Sequence, residues 1–259
     1  METESKRAAG VSLCLQGSRL TITLDNPAVH NRLSADDIRY LRDVFTGVNE
    51  DTNIRVVVLT GTGKSFCAGF DLGELSSLAS DARLPDFDRL SDELEQLRCP
   101  SICALNGGVY GGAIDLALAC DFRLGVTGCQ LLMPAARIGL HYYPRGIRRY
   151  VSRLGMAAAK RLLLCAEPLR GETLLDIGFL DEMHAPADLG VRVHELAECL
   201  QNNAPLAVEG MKHAINLYAN AQVDDASVHA SFQRALASGD FRAGVQSINS
   251  KTAPVFKRD

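Results

Sequence analysis

Residues 106–121, NGGVYGGAIDLALACD, carry the reading on which the fold turns. A glycine-rich turn comes first, then a small-residue helix start at Gly111, Gly112 and Ala113, with an acid, Asp115, one turn further in. The first N–H groups of a helix lack intrahelical acceptors and carry partial positive charge, so an oxygen gaining negative charge is stabilised there. Just before the turn, residues 101–105 (SICAL) read as a short buried strand. The unit is strand, glycine turn, helix.

A second turn of this kind lies upstream, at residues 65–72 (SFCAGFDL), directly after the apolar run 54–60 (IRVVVLT). Its small pair Ala68-Gly69 and the later pair Gly111-Gly112 each offer an N–H, and two such donors meeting at one oxygen make an oxyanion hole. FCAGFDL followed by NGGVYGGAIDLALACD resembles the crotonase (enoyl-CoA hydratase/isomerase) superfamily. The resemblance runs over nearly the whole chain. The paired motif is specific for the superfamily and much less so for the reaction.

That resemblance implies an α/β fold, a crotonase-like spiral of ββα repeats, with the acyl-CoA site in residues 1–190. Residues 191–259 are then a C-terminal helical region for oligomerisation, as a homotrimer or homohexamer. The implied activity is that of a lyase or isomerase stabilising a thioester enolate, with the amides of Ala68 and Gly112 as the two donors. Coenzyme A arrives as part of the substrate, so no separate cofactor is expected. Arg32 is the candidate for the coenzyme phosphates, a solvated surface arginine being the other reading. The turn from Ala68 to Leu72 is implied to hold the adenine end, with Asp71 and Leu72 at the matching places. Phe70 stands there where a small residue is usual. Phe256 and Lys257 fit the family's ending, in which an aromatic and a lysine reach the coenzyme of an adjacent subunit.

Hydration also requires an acid and a base. The family's hydratases use two glutamates, and the corresponding positions here are Asp115 and Ala135, in Met133-Pro134-Ala135-Ala136. A positioned acid or base contributes about 10²- to 10⁴-fold, so a methyl in place of one disfavours hydration. Just downstream stand His141, Tyr142, Tyr143, Pro144 and Arg145. Of these, His141 and Tyr143 are the replacement candidates, since histidine exchanges protons near neutrality. Isomerisation or decarboxylation is therefore expected ahead of hydration, with a weakly active or inactive acyl-CoA binder as the alternative. Asp115 also has a structural reading, as a buried acid paired with Arg145, Arg148 or Arg149. His141 and Tyr143 have one too, as packing residues.

The rest of the chain reads as a hairpin around Gln16-Gly17-Ser18, then a helix opened by Ser34 and Asp37 with Ile38, Leu41, Val44 and Val48 on one face. Residues 73–92 read as an irregular loop over the ligand or as a plain connection, with helix resuming at 91–97. Helices follow at 157–164, 172–177, 189–202, 206–218, 224–237 and 242–248. Gly63-Lys64-Ser65 is not a P-loop, because Val58 stands where the first glycine belongs. NGGVYGG likewise lacks the spacing of a dinucleotide fingerprint. With 27 Lys and Arg against 31 Asp and Glu, and a net charge of −4, nothing argues for nucleic acid. The eight cysteines form no CxxC pair and read mostly as buried thiols of a reducing compartment, which makes a cytoplasmic, metal-free protein the expectation. No apolar run is long enough for a membrane partner to be expected.

Overall fold

The computed structural model describes residues 4–8, 10–71, 86–222 and 224–259. Glu4–Ala8 (β1), Val11–Gln16 (β2) and Arg19–Leu24 (β3) form an antiparallel meander. Ala35–Glu50 (α1) then crosses to Val56–Gly61 (β4), which pairs parallel to β3. Ser34 and Asp37 close the expected capping box, each side chain bonded to the other's backbone N–H, so α1 starts where its sequence says.

From β4 onward the chain repeats one pattern. A strand of the large sheet leads to a short strand of a second sheet and then to a helix. The first unit is β4, Ser65–Cys67 (β5) and Phe87–Glu95 (α2). The second is Ser101–Leu105 (β6), Gly108–Tyr110 (β7) and Gly112–Ala119 (α3). The third is Phe122–Val126 (β8), Gln130–Leu132 (β9), a 3₁₀ turn at Ala135–Ile138, and Pro144–Leu164 (α4). Leu169–Arg170 (β10), Thr173–Asp176 (α5) and Glu182–His184 (β11) follow. The seven-stranded sheet runs β1-β2-β3-β4-β6-β8-β11 and the four-stranded sheet β10-β9-β7-β5. Leu189–Gln201 (α6), Pro205–Ala219 (α7), Asp225–Ala237 (α8) and Gly239–Ser250 (α9) complete the chain.

Strands β4 and β6 are buried on both faces, as continuous apolar runs of a parallel sheet must be. Helix α3 is apolar but for Asp115, and every residue from Ala113 to Ala119 is buried. Strand β1, ahead of the expected hairpin, is not anticipated, nor are β5, β7, β10 and β11, which are two or three residues long, too short for a periodic signal. Helix α2 begins at Phe87, four residues ahead of expectation. Helix α4 reaches back to Pro144, a residue suited to a first helical position, and bends at Gly155, whose φ is +74°. Most of the expected 73–92 loop lies outside the described residues.

All eight cysteines are unpaired. Burial pushes the thiols of Cys67 and Cys129 up to about 12 and that of Cys99 to about 11, from an ordinary 9.0. An acid whose folded pKa is raised stabilises the fold below its unfolded pKa, and that stability is lost as pH rises. Unfolding free energy is thus expected to be level up to about pH 9 and to fall from there toward pH 11 to 12 in urea titrations. In the native protein a thiol reagent should label exposed Cys165 and Cys199 and leave Cys67, Cys99 and Cys129 unreacted until denaturant is added.

Candidate active site

The two glycine turns meet. Gly69 has φ +82°, and a Cβ placed there would lie 2.8 Å from the carbonyl of Tyr110 and 2.9 Å from the amide of Gly112. The turns are held together by amides of side chains: Asn106 accepts from the Gly61 N–H and donates to the carbonyls of Gly63 and Ser65. Asn31 donates to the carbonyls of Thr62, Ser65 and Phe66. A cavity of about 490 Å³ opens at the junction, walled by Ala68, Phe70, Gly112, Ala135, His141 and Tyr143 among others. Of the expected catalytic positions, Asp115 alone is absent from its wall.

The geometry corrects one donor. The amide of Ala68 donates to the carbonyl of His30 at 2.9 Å and is therefore spent. Leu33 bridges the next residues, donating to the Gly69 carbonyl and accepting from the Asp71 amide. Between these bonds the amide of Phe70 has no acceptor among the described residues, and Phe70 lines the cavity. Gly112, as the first residue of α3, has no intrahelical acceptor either. Phe70 and Gly112 are thus open amides of residues that line the cavity. The donor implied by the resemblance, Ala68, stands two residues before the open amide, because the bond from Ala68 to His30 joins segments far apart in sequence.

Asp115 is fully buried beneath the wall. Arg149 grips it with two bonds of 2.8 Å, from Nε to Oδ1 and from Nη2 to Oδ2, and the hydroxyl of Tyr143 donates to the same Oδ2. The structural reading of this acid is therefore the one the geometry gives. Arg149 also bonds Asp92 at 2.8 Å and Glu95 at 3.3 Å, tying α2 to α4. Burial alone would lower the Arg149 pKa, but the hydrogen bonds and charge of Asp115, with the charge of Glu95, outweigh it and raise it. Arg149 is the residue that sequence reasoning named only as one of three arginines. Its i, i+4 relation to Arg145 and its place in a helix starting at Pro144 were the available signal.

Tyr142 donates to the Tyr143 hydroxyl at 3.3 Å, and the two rings stack with centroids 4.4 Å apart. Burial, and then the charge of Asp115, pushes both phenols well above their ordinary pKa. Both hold their protons through the neutral range, and neither is a base. His141, exposed at the wall, bonds the Tyr142 carbonyl through Nδ1 at 2.8 Å. A carbonyl only accepts, so Nδ1 carries the proton and Nε2 is left to exchange one.

The remaining expected contacts are not gathered here. Arg32 pairs with Asp71 at 2.9 Å, and neither lines the cavity. Leu72 lies outside the described residues. The Phe256 carbonyl accepts from Arg55, and the Lys257 amide donates to Asp240 at 2.7 Å. Arg55 precedes β4, whereas the first glycine turn follows it, and neither Phe256 nor Lys257 lines this chain's own cavity.

The profile of the enoyl-CoA hydratase/isomerase family matches residues 16–259. The chain belongs to that family. YngF of Bacillus subtilis is 33% identical over 242 residues, 91% of this chain and 93% of the relative. Carnitinyl-CoA dehydratase of Escherichia coli is 30% identical over 258 residues, covering 95% and 97%. The crystal structure of enoyl-CoA hydratase from Bacillus anthracis superposes with a TM-score of 0.87 at 28% identity, over 97% of this chain and all of the other. The mixed α/β architecture with its C-terminal helices is thus the crotonase fold, of a family that acts on acyl-CoA thioesters. No described helix is long and apolar enough to cross a membrane.

In this crotonase the junction tolerates no side chain at Gly69. Alanine there would carry a left-handed backbone, costing about 1–3 kcal/mol, and would crowd the Gly112 amide. Gly69→Ala should lower the urea midpoint and remove most turnover of any thioester. Unchanged stability and turnover would contradict the described contact.

Proposed function

We propose that this crotonase forms a thioester enolate at the amides of Phe70 and Gly112 and uses it for decarboxylation or double-bond isomerisation in preference to hydration. One observation carries the reading: neither hydratase carboxylate position presents a carboxylate to the cavity. At Ala135 a methyl lines the wall, and Asp115 lies behind it with both oxygens engaged. Decarboxylation asks least of such a pocket. A malonyl-type thioester loses CO₂, the electron pair of the broken C–C bond passes into the enolate held by the two amides, and one proton then goes to the α-carbon. His141 Nε2 is the assigned exchanger of that proton, with Tyr143 ordering the wall beside it. Isomerisation needs the same enolate, with a proton removed from one carbon and returned to another.

The test sets crotonyl-CoA against a malonyl-type CoA and a 3-enoyl-CoA, following hydration, CO₂ release and double-bond migration. CO₂ release or migration should exceed hydration, and His141→Ala should cut it by about 10²-fold or more. Hydration as the dominant activity would refute the reading. The same observation also favours a second reading, an acyl-CoA-binding member without turnover, which tight calorimetric binding with no reaction on any of these thioesters would establish.

Assembly through the C-terminal helices is part of the proposal. Helix α8 buries none of its residues, and Met211, Ile215, Phe232, Phe241 and Ile248 on α7 to α9 are exposed. Such apolar faces support a homotrimer or homohexamer, in which Phe256 and Lys257 are free to meet a neighbour's coenzyme. Light scattering should give three or six times the 28.0 kDa chain mass, and a monomer would remove this support.

A further inference from the structure

Helix geometry sets Asp115 where a catalytic acid would be useful. It lies three residues after Gly112, so both occupy the same face of α3, the face whose first amide opens into the cavity. What removes it from the cavity is its partner. Arg149 takes one lone pair on each carboxylate oxygen, and Tyr143, itself part of the cavity wall, takes another on Oδ2. The other carboxylates that Arg149 touches do not depend on it alone. Asp92 keeps Arg145 at 2.6 Å, and Glu95 keeps Arg148 at 2.6 Å. Asp115, by contrast, has Arg149 as its sole cation among the described residues.

We infer that Arg149 is a positioning residue that determines the reaction, by locking the Asp115 carboxylate against α4 and so withholding an acid from the acyl pocket. The guanidinium is the group suited to this. Its planar fork matches both oxygens at once, and it keeps its charge at every accessible pH. Without that fork the Asp115 carboxyl keeps only Tyr143 as a partner and is free to exchange a proton with a bound thioester or water. A second carboxylate restored at position 135 is then useful only if the first is released.

This inference rests on the acyl-CoA reading of the pocket, and the experiment separates the two. Ala135→Glu, Ala135→Glu/Arg149→Met and Ala135→Glu/Arg149→Lys are compared for folding by circular dichroism, for butyryl-CoA binding by calorimetry and for crotonyl-CoA hydration. Ala135→Glu alone should hydrate poorly. Its combination with Arg149→Met should raise kcat for hydration about 100-fold, with KM little changed. The pH profile of kcat/KM should gain an ionisation that disappears when Asp115→Asn is added. Arg149→Lys, a point charge in place of a fork, should give a smaller gain, and it carries the test if the methionine variant fails to fold. Equal hydration by Ala135→Glu alone and by the combined variants overturns the inference, as does a folded, ligand-binding combination with no gain. Failure of all folded variants and of the wild-type chain to bind butyryl-CoA overturns the acyl-CoA reading instead.

Discussion

The contact between Gly69 and Gly112 is the constraint from which the site follows. Two turns from different strand-strand-helix units come so close that no Cβ fits at Gly69, and only then do two open amides share one cavity. The contact is enforced from outside the cavity. Asn31 and Asn106 satisfy the carbonyls of the first turn, and Leu33 clamps the segment after it. Preorganised donors of this kind act without reorganisation during reaction, in a setting where little water competes for them.

Beneath the cavity the chain buries charge in quantity. Arg149, Asp115, Asp92 and Glu95 are all nearly or fully inaccessible, and three further arginines approach the same carboxylates. Taking such groups out of water is costly unless each is paired and hydrogen-bonded, and here each is. The arrangement contributes geometry more than stability. It fixes α2 against α4 and sets the direction of the Tyr142 and Tyr143 hydroxyl bonds, beside a wall that also carries His141, Asp86 and Asp88. A net charge of −4 conceals this local wealth of arginine.

Much of the fold was legible in the residues themselves. The apolar runs of β4 and β6, the capping box of α1 and the amphipathic helices after Leu189 announce their elements through local physics. The two-residue and three-residue strands of the second sheet do not, since pairing alone makes them strands. In the site, Gly112 and the substitution at Ala135 could be read by position. The donor in the first turn could not, because the amide of Ala68 is consumed by His30, a partner visible only once the chain is folded. Asp115 was legible as an acid with an arginine in reach, but not which of three arginines holds it.

The sequence by itself determined the family, the two glycine junctions and the absence of a second carboxylate, because each is a matter of residue identity at a position. Tertiary structure alone decided which amides remain open, and that Arg149 among three neighbouring arginines holds Asp115. The physical reason is the same in both cases. A hydrogen-bonding group can serve a ligand only if no other part of the protein has already taken it, and that is a property of distances between segments remote in sequence.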